Sequence, residues 1–328
     1  MYVTKPRSSK IDLPRLKAWL AKHRLAAILI AGSLVVFIVF QALILGSVPS
    51  VDYNAEYNIK PRPQKVYSPL TGVQLPDGET VNKPVTAVMI ENSPDARPQS
   101  GLKDAGIVYE AVAEGGITRF IALYQHTQPE LIGPVRSLRI YYLDWAAPYQ
   151  ASIAHVGGSG NALAEVRNGN YRDIDQFFNA GSYWRATDRY APHNMYTNFE
   201  RLNELNRAKG YTSSEFKGFE RVDGEPAEQP SATSIAVNFS SDLYNTTYTY
   251  DAASNTYARS LGGAEHHDRE KGRITPSSVV VIQVNAQSRG GTDPYEDLIT
   301  SGSGQAHVFQ NGTWVGAITS GRGNVSWQ

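Results

Sequence analysis

The sequence contains no cysteine, and this absence excludes several structural and functional devices. Without a thiol, the chain has no disulfide, no thiolate ligand for a metal and no cysteine that a lipid could acylate. Its stability must therefore come from packing and from noncovalent contacts.

An excess of basic charge is also lacking, because 31 Lys and Arg residues stand against 31 Asp and Glu residues. Residues 1–24 hold seven basic residues and one acidic residue, which leaves 24 basic against 30 acidic residues in the rest, a net charge of −6. A nucleic-acid partner requires a basic surface that faces its phosphates. The composition therefore argues against nucleic-acid binding.

One long apolar run is present near the N-terminus. Residues 25–45 carry no charge, and twenty-one residues at 1.5 Å each give about 30 Å, the thickness of a hydrocarbon core. A cleaved signal peptide is the alternative, but its apolar region spans only about 7 to 15 residues. We therefore predict an uncleaved, single-pass transmembrane helix, with the lipid bilayer as a partner.

The charges that flank this run predict its orientation. The basic residues of the tail precede it, whereas Asp52 and Glu56 follow it. By the positive-inside rule, the N-terminus is cytoplasmic and the bulk of the chain is extracytoplasmic, at the cell membrane.

Composition divides the exported part into segments and predicts an α+β fold. A mixed α/β domain and a mostly antiparallel β domain follow a tether rich in proline. The final residues GNVSWQ have the pattern of a strand interior, so we expect a truncated chain. The predicted segments are a basic tail (1–24), the transmembrane helix (25–45), the tether (46–84), the mixed domain (85–220), a polar linker (221–234) and the β domain (235–328).

A β-hairpin is predicted in the first exported domain, after a buried strand at 86–92. Two alternating runs, 106–114 and 117–126, flank Gly115 and Gly116, which is typical of a two-residue turn. This turn would place Val112 opposite Arg119. Three charged side chains would then share one face, as an ion network or as a ligand-binding surface: Glu110, Glu114 and Arg119.

Two helices are also predicted in this domain. Residues 138–150 form an aromatic-rich candidate that ends near Pro148, and residues 198–210 form a clearer one. In the latter, Asn198 is expected to cap the first turn and Gly210 to end the helix.

An arginine pair offers a candidate anion-binding group. The run GPVRSLR carries Arg136 and Arg139, and a guanidinium group matches a carboxylate or phosphate bidentately. With Arg119, these residues either bind an anion or form structural ion pairs.

A glycine-rich loop follows the apolar residues AHV. Its residues Gly157, Gly158 and Ser159 lack the spacing of a nucleotide-binding loop and of a nucleophilic serine elbow. The loop is therefore expected to form a tight turn or a backbone nest for an anion.

Histidines near these motifs are candidates for ligand contacts or for acid–base chemistry. His155 precedes the glycine loop, and His193 and Asn194 lie in the run APHN. The alternative for each histidine is a structural hydrogen bond. Glu110 and Glu114, about 13 Å apart along a strand, are too distant to act as a glycosidase pair. A dyad of Glu114 with Asp173 or Asp175 remains open.

Residues 265–268, with the sequence Glu-His-His-Asp, are a candidate metal site. Adjacent strand residues point to opposite faces, so a single ion could use only alternate members. A polar hairpin is the favoured interpretation. We expect no metal and no cofactor.

Several ordered motifs in the chain resemble the bacterial YerB-like family, the domain of unknown function 3048 with its N-terminal and C-terminal parts. The resemblance covers roughly residues 66–328 and implies two extracytoplasmic parts. Family members are often lipoproteins, so the predicted helix here would replace the lipid anchor. No activity follows from the resemblance. The motifs are SPLTG (68–72), ARPQSGL (96–102), IVYEAVAEGGITRF (107–120), IGPVRSLR (132–139), HVGGS (155–159), APHN (191–194), YARS (257–260) and HHD (266–268).

These observations lead to a predicted function with two alternatives. The leading hypothesis is a cell-envelope protein, not an enzyme, that binds an anionic glycan or peptidoglycan-like ligand of the cell wall or surface. One alternative is an envelope hydrolase that uses a carboxylate with His155 or His193, and the other is a scaffold for membrane proteins. The sequence leaves the ligand, the protein partners and the oligomeric state open.

Overall fold

A computed structural model describes residues 12–47, 65–288, 296–301 and 304–319. The contacts divide the chain into two units, Met1–Arg62 and Pro63–Gln328, which we describe separately. The start of the basic tail, most of the tether and the final run GNVSWQ lie outside the described residues.

The described residues of the N-terminal unit form two helices, α1 (Leu13–Lys22) and α2 (Arg24–Ser47). The side chain of Asp12 caps α1 by accepting a hydrogen bond from the backbone N–H of Arg15 at 3.4 Å. Helix α1 lies within the predicted tail and was not expected. Helix α2 includes the predicted apolar run and, by length and composition, can cross a membrane.

A five-stranded mixed sheet organises the first part of the larger unit. Its strand order is β2-β3-β1-β4-β5, in which β1, β4 and β5 are mutually parallel and β3 is antiparallel to β1 and β2. The strands are β1 (Thr86–Glu91), β2 (Ile107–Val112), β3 (Thr118–Tyr124), β4 (Ser152–Ala154) and β5 (Arg172–Asp173).

Helices cover both faces of this sheet. Residues such as Met89 and Ile121 pack with α3 (Ile140–Ala146) and α4 (Gly160–Asn168) on one face. On the other face, residues such as Ile90 and Phe120 pack with α5 (Phe199–Ala208). Both faces of β1 are therefore buried, which explains its continuous apolar sequence.

The two predicted helices are present, and a third was missed. Asn198 caps α5 by accepting from the N–H of Arg201 at 3.0 Å, and Gly210 adopts a φ of +77° just beyond its end. Helix α3 is shorter than the predicted aromatic helix. Helix α4 was not predicted because Gly160 and Asn161 at its start resemble a loop.

The hairpin between β2 and β3 differs from the prediction by one residue. A three-residue loop, Glu114–Gly116, connects Ala113 to Ile117, and Gly115 and Gly116 both adopt positive φ. The register therefore places Ala111, not Val112, opposite Arg119. Because side chains alternate between faces, the shift places Glu110 and Arg119 on opposite faces of the sheet. The predicted single face of three charged residues is wrong.

The remaining strands are short and mostly antiparallel, which confirms the α+β fold. Two of them, β17 and β18, are joined by a two-residue turn at Asn311 and Gly312, as expected for Asn-Gly. They are β6 (Trp184–Arg185), β7 (Met195–Tyr196), β8 (Ser234–Val237), β9 (Thr246–Asp251), β10 (Thr256–Leu261), β11 (Ala264–Glu265), β12 (His267–Asp268), β13 (Gly272–Arg273), β14 (Ser278–Ile282), β15 (Ala286–Ser288), β16 (Glu296–Leu298), β17 (Gln305–Gln310) and β18 (Thr313–Thr319).

A buried polar network joins the C-terminal strands to the five-stranded sheet. The guanidinium group of Arg259 in β10 donates to Glu110 Oε2 at 2.8 Å and to His266 Nδ1 at 2.9 Å. His266 Nε2 in turn lies 2.8 Å from Gln99 Oε1, and the Gln99 amide donates to Asn92 Oδ1 at 2.9 Å. Residues far apart in sequence thus hold the two parts together.

The histidine of this network predicts a pH dependence of stability. Burial, together with the nearby Arg259 charge, holds the pKa of His266 well below its usual 6.5. A neutral His266 therefore stabilises the fold above pH 6.5, and this contribution is lost as the pH falls below that value. We expect His266→Gln to reduce the slope of unfolding free energy against pH by up to about 1.4 kcal/mol per pH unit.

Urea denaturation of the full chain in detergent micelles between pH 7.5 and pH 5 measures this slope. His267→Gln is the matched control, because the neighbouring His267 side chain is 46% exposed. An equal slope in the parent and in His266→Gln would contradict the prediction.

Candidate functional site

The candidate site lies at the carboxyl ends of β1 and β4. After β1 the chain continues to β2 and β3 on one side, whereas after β4 it continues to β5 on the other side. Such a reversal of direction in an open sheet creates a crevice where ligands commonly bind. The segment that contains Arg136 and Leu138 crosses this edge, since Arg136 N donates to Met89 O and Leu138 N donates to Gly157 O.

A buried glutamate forms the centre of the site. Glu91 ends β1, and its Oε1 lies 2.8 Å from His193 Nδ1 and 3.3 Å from Arg136 Nε. Ser93 also donates to this oxygen at 2.9 Å. The Glu91 side chain is 4% exposed, whereas those of Arg136 and His193 are 26% and 23% exposed. Arg136 and His193 therefore converge on one carboxylate and still reach the surface.

A second ion cluster lies beside the first. Arg119, directly opposite Glu91 in the sheet, donates to Glu114 Oε1 at 2.6 Å, and Arg139 donates to Glu114 Oε2 at 2.6 Å. Burial alone would raise the pKa of Glu114, but the Arg119 and Arg139 guanidinium groups lower it to about 2. The two arginines are thus structural partners of Glu114, with side chains only 2% and 6% exposed.

Unpaired polar atoms concentrate where the two clusters meet. Within the described residues, eight buried side-chain atoms make no hydrogen bond, and three of them lie here: Glu91 Oε2, Arg119 Nε and Arg136 Nε, whose 3.3 Å contact with Glu91 Oε1 is an ion pair without hydrogen-bond geometry. Such atoms are uncommon in folded proteins and call for an explanation.

Glu110 and Asn194 are predicted site residues that do not contribute to this cluster. Glu110 lies on the opposite face, where it pairs with Arg259. Asn194 is 7% exposed and uses its amide to hold its own loop, since it accepts from Arg185 and donates to the carbonyls of Ala186 and Arg189.

The glycine loop is a tight turn whose polar groups bind the neighbouring chain. The carbonyl of Gly157 accepts from Leu138 N, and Ser159 N donates to Leu138 O. Gly157 adopts a φ of +63°, and a Cβ at Gly158 would lie 3.0 Å from Leu138 O. These contacts support the turn interpretation, because the Ser159 N–H of the proposed nest is already used.

His155 lies at the other side of the turn, with a different pair of acids. It is fully buried, and its Nε2 is 3.1 Å from Asp173 Oδ1. Asp175 completes a cluster of three potential ligand groups whose atoms all lie within 4.8 Å of one another. Asp173 and Asp175 thus lie close to His155, whereas Glu114 forms ion pairs with Arg119 and Arg139.

The residues at 265–268 have different structural roles. His266 belongs to the buried network, and Asp268 accepts hydrogen bonds from the backbone of Lys103, Glu270 and Lys271. Glu265 and His267 form a surface pair at 2.9 Å.

Sequence reasoning missed Glu91 and Ser93. The signal was present, because Glu91 is an acidic residue at the end of the continuous apolar run TAVMI, where a buried charge requires a partner. Its partners Arg136 and His193 lie 45 and 102 residues away, a distance at which sequence patterns do not identify contacts.

Two segments of the chain match a known protein family. Residues 70–212 match the model described as "Protein of unknown function (DUF3048) N-terminal domain", and residues 235–318 match the corresponding C-terminal domain. Together these matches cover more than half of the chain.

A curated relative and a solved structure agree with this match. The chain is 32% identical over 256 residues to "Putative lipoprotein YerB" of Bacillus subtilis (strain 168). The aligned region covers 77% of each chain. The crystal structure of YerB protein from Bacillus subtilis is similar with a TM-score of 0.69 and 29% identity, over 78% of this chain and 86% of that chain. The chain therefore belongs to the DUF3048 family, the YerB-like proteins of unknown function.

Proposed function

We propose that this protein is a membrane-anchored, extracytoplasmic protein that binds an anionic group of the cell envelope with Arg136 and His193. The apolar helix α2 and the name of the curated relative, a lipoprotein, support the location. Helix α2 takes the place of the lipid in this proposal, because the chain has no cysteine.

The binding proposal rests on the hydrogen-bond donors of Arg136 that no described residue uses. Its one ion pair among the described residues is with Glu91, and no described residue accepts a hydrogen bond from its terminal nitrogens. The nearby arginines are nine-tenths buried and engaged by Glu114. Among these three arginines, Arg136 is therefore the one that reaches the surface with its terminal donors available for an external carboxylate or phosphate.

The surroundings of Arg136 favour an anion over a neutral ligand. Arg136 and His193 both contact Glu91 and are partly exposed, and a guanidinium group forms charge-assisted hydrogen bonds with a carboxylate or phosphate. Carboxylates of peptidoglycan-like material and the acidic groups of envelope glycans have this chemistry. We infer that such a group binds at the carboxyl ends of β1 and β4.

Sedimentation with purified peptidoglycan tests this function. We expect the full chain in detergent micelles to sediment with insoluble peptidoglycan. Arg136→Gln should weaken the affinity for peptidoglycan at least tenfold, because a charge-assisted contact is lost. Arg207→Gln is the control, since it removes the same charge from an exposed position of α5. Equal sedimentation of the parent and Arg136→Gln would refute the proposal.

A hydrolase is the second candidate, and the Glu91–His193 contact favours it. Glu91 Oε1 accepts from His193 Nδ1 in this arrangement, which leaves Nε2 as the basic atom of a neutral ring, as in a general base oriented by a carboxylate. The same incubation distinguishes the candidates. Soluble fragments released by the parent and not by His193→Gln would favour the hydrolase, whereas sedimentation without release favours the binder.

A further inference from the structure

We propose that His155, Asp173 and Asp175 form a binding site for a divalent transition-metal ion, separate from the Arg136 cluster. The three residues follow or end parallel strands β4 and β5, so their side chains meet at one edge of the sheet. This juxtaposition joins one imidazole and two carboxylates, a set of ligands suited to Zn²⁺, Mn²⁺ or Fe²⁺.

The hydrogen bonding of His155 is the observation that points to a cation. Its Nδ1 lies 2.8 Å from the carbonyl oxygen of Gly157, which can only accept, so Nδ1 carries the hydrogen. A neutral imidazole has no second N–H, and its Nε2 therefore presents a lone pair to Asp173 Oδ1 at 3.1 Å. Two acceptors at this distance repel each other unless a cation or an added proton lies between them.

The backbone contact is the one that metal-binding histidines commonly make. An N–H bonded to a carbonyl selects the tautomer and aims the other nitrogen at the ion. With metal–ligand distances of about 2.1 Å, two ligand atoms at a right angle lie about 3.0 Å apart, and at the tetrahedral angle about 3.4 Å. The observed separation of 3.1 Å between His155 Nε2 and Asp173 Oδ1 lies in this range.

The two carboxylates have the capacity to bind an ion. Among the described residues, no group donates a hydrogen bond to Asp173 Oδ2, while Oδ1 accepts from Asp175 N at 3.0 Å. Asp175 is held by Phe178 N at 3.1 Å and by a long contact of 3.4 Å to Arg167. Arg167 is the cation that competes at this position; its side chain is 38% exposed, and its guanidinium group also lies over the Phe178 ring, 5.0 Å from the ring centroid.

The site opens on one side and is closed on the other. Asp173 and Asp175 line a cavity of about 270 Å³, whereas His155 is fully buried beneath them. Arg167 and Lys209 also line this cavity. An ion held by three protein ligands would keep positions on the cavity side for water or for an anionic ligand.

Metal titration of the full, untagged chain in micelles tests the site after treatment with a chelator. We expect one equivalent of Zn²⁺ to bind per chain, and Asp173→Asn to weaken this binding at least tenfold, since a charged ligand becomes neutral with little change of volume. His267→Gln, which removes the exposed imidazole beside Glu265, should bind Zn²⁺ as the parent does.

A structural measurement keeps the proposal testable even if Asp173→Asn does not fold. Crystals of the parent soaked in Zn²⁺ should show anomalous scattering about 2.1 Å from His155 Nε2. Absence of that peak, or Zn²⁺ binding that Asp173→Asn leaves unchanged, would overturn the proposal and identify His155 and Asp173 as an ion pair.

Discussion

Replacement of Arg259 by leucine is expected to destabilise the protein by about 4 kcal/mol. The side chain of Arg259 is 5% exposed and that of Glu110 is 9% exposed, and their atoms are 2.8 Å apart. Loss of the guanidinium group leaves the Glu110 carboxylate buried without its charge partner and also removes a donor to His266. Urea denaturation of the full chain in micelles measures the change.

Two further variants separate the buried ion pair from a general loss of packing. Arg259→Leu combined with Glu110→Leu should be less destabilised than Arg259→Leu alone, because no uncompensated charge then remains. Arg269 pairs with Asp188 at 2.6 Å on the surface, so Arg269→Leu should cost less than about 1 kcal/mol. A cost below about 1 kcal/mol for Arg259→Leu would show that the pair does not join the two parts.

Neutralisation of Glu114 should have the second largest effect, about 3 kcal/mol at pH 7 for Glu114→Gln. The variant leaves the buried guanidinium groups of Arg119 and Arg139 without their carboxylate. Because 26% of the Glu114 side chain is exposed, we expect the lower end of the range for a broken buried pair.

The effect of Glu114→Gln should depend on pH in a defined direction. The folded pKa of about 2 is below the usual value of 4.5, so the charged carboxylate stabilises the fold above pH 4.5 and loses this effect between pH 4.5 and pH 2. The difference in unfolding free energy between parent and variant should shrink over that interval. Glu200→Gln, at an exposed position of α5, is the control, and a difference that stays constant with pH would contradict the assignment.

The two clusters show which of the predicted site residues the fold brings together. Arg119, Arg136 and His193 do come together, as the binding hypothesis requires. Glu110 does not, because a three-residue loop replaced the expected two-residue turn and the alternation of side chains moved it to the other face. An Asn-Gly pair determines its turn locally, whereas Gly-Gly permits more than one loop length.

Features that arise within a few residues were predictable. The apolar run that became α2 and the Asn198 cap of α5 both depend on neighbours in sequence. Helix α4 was missed because its first residues favour loops, while buried contacts of Ala162 and Val166 stabilise it. Local preference alone is weak when packing against the sheet opposes it.

The sequence alone determined that this chain carries one uncharged segment long enough to cross a membrane, followed by α/β and β regions without disulfides. Only the tertiary structure decided which acids meet which bases. Glu91 joins Arg136 and His193, His155 joins Asp173, and Glu110 joins Arg259. Hydropathy is a sum over adjacent residues, whereas these pairs depend on strand order and register, which bring together side chains up to 149 residues apart.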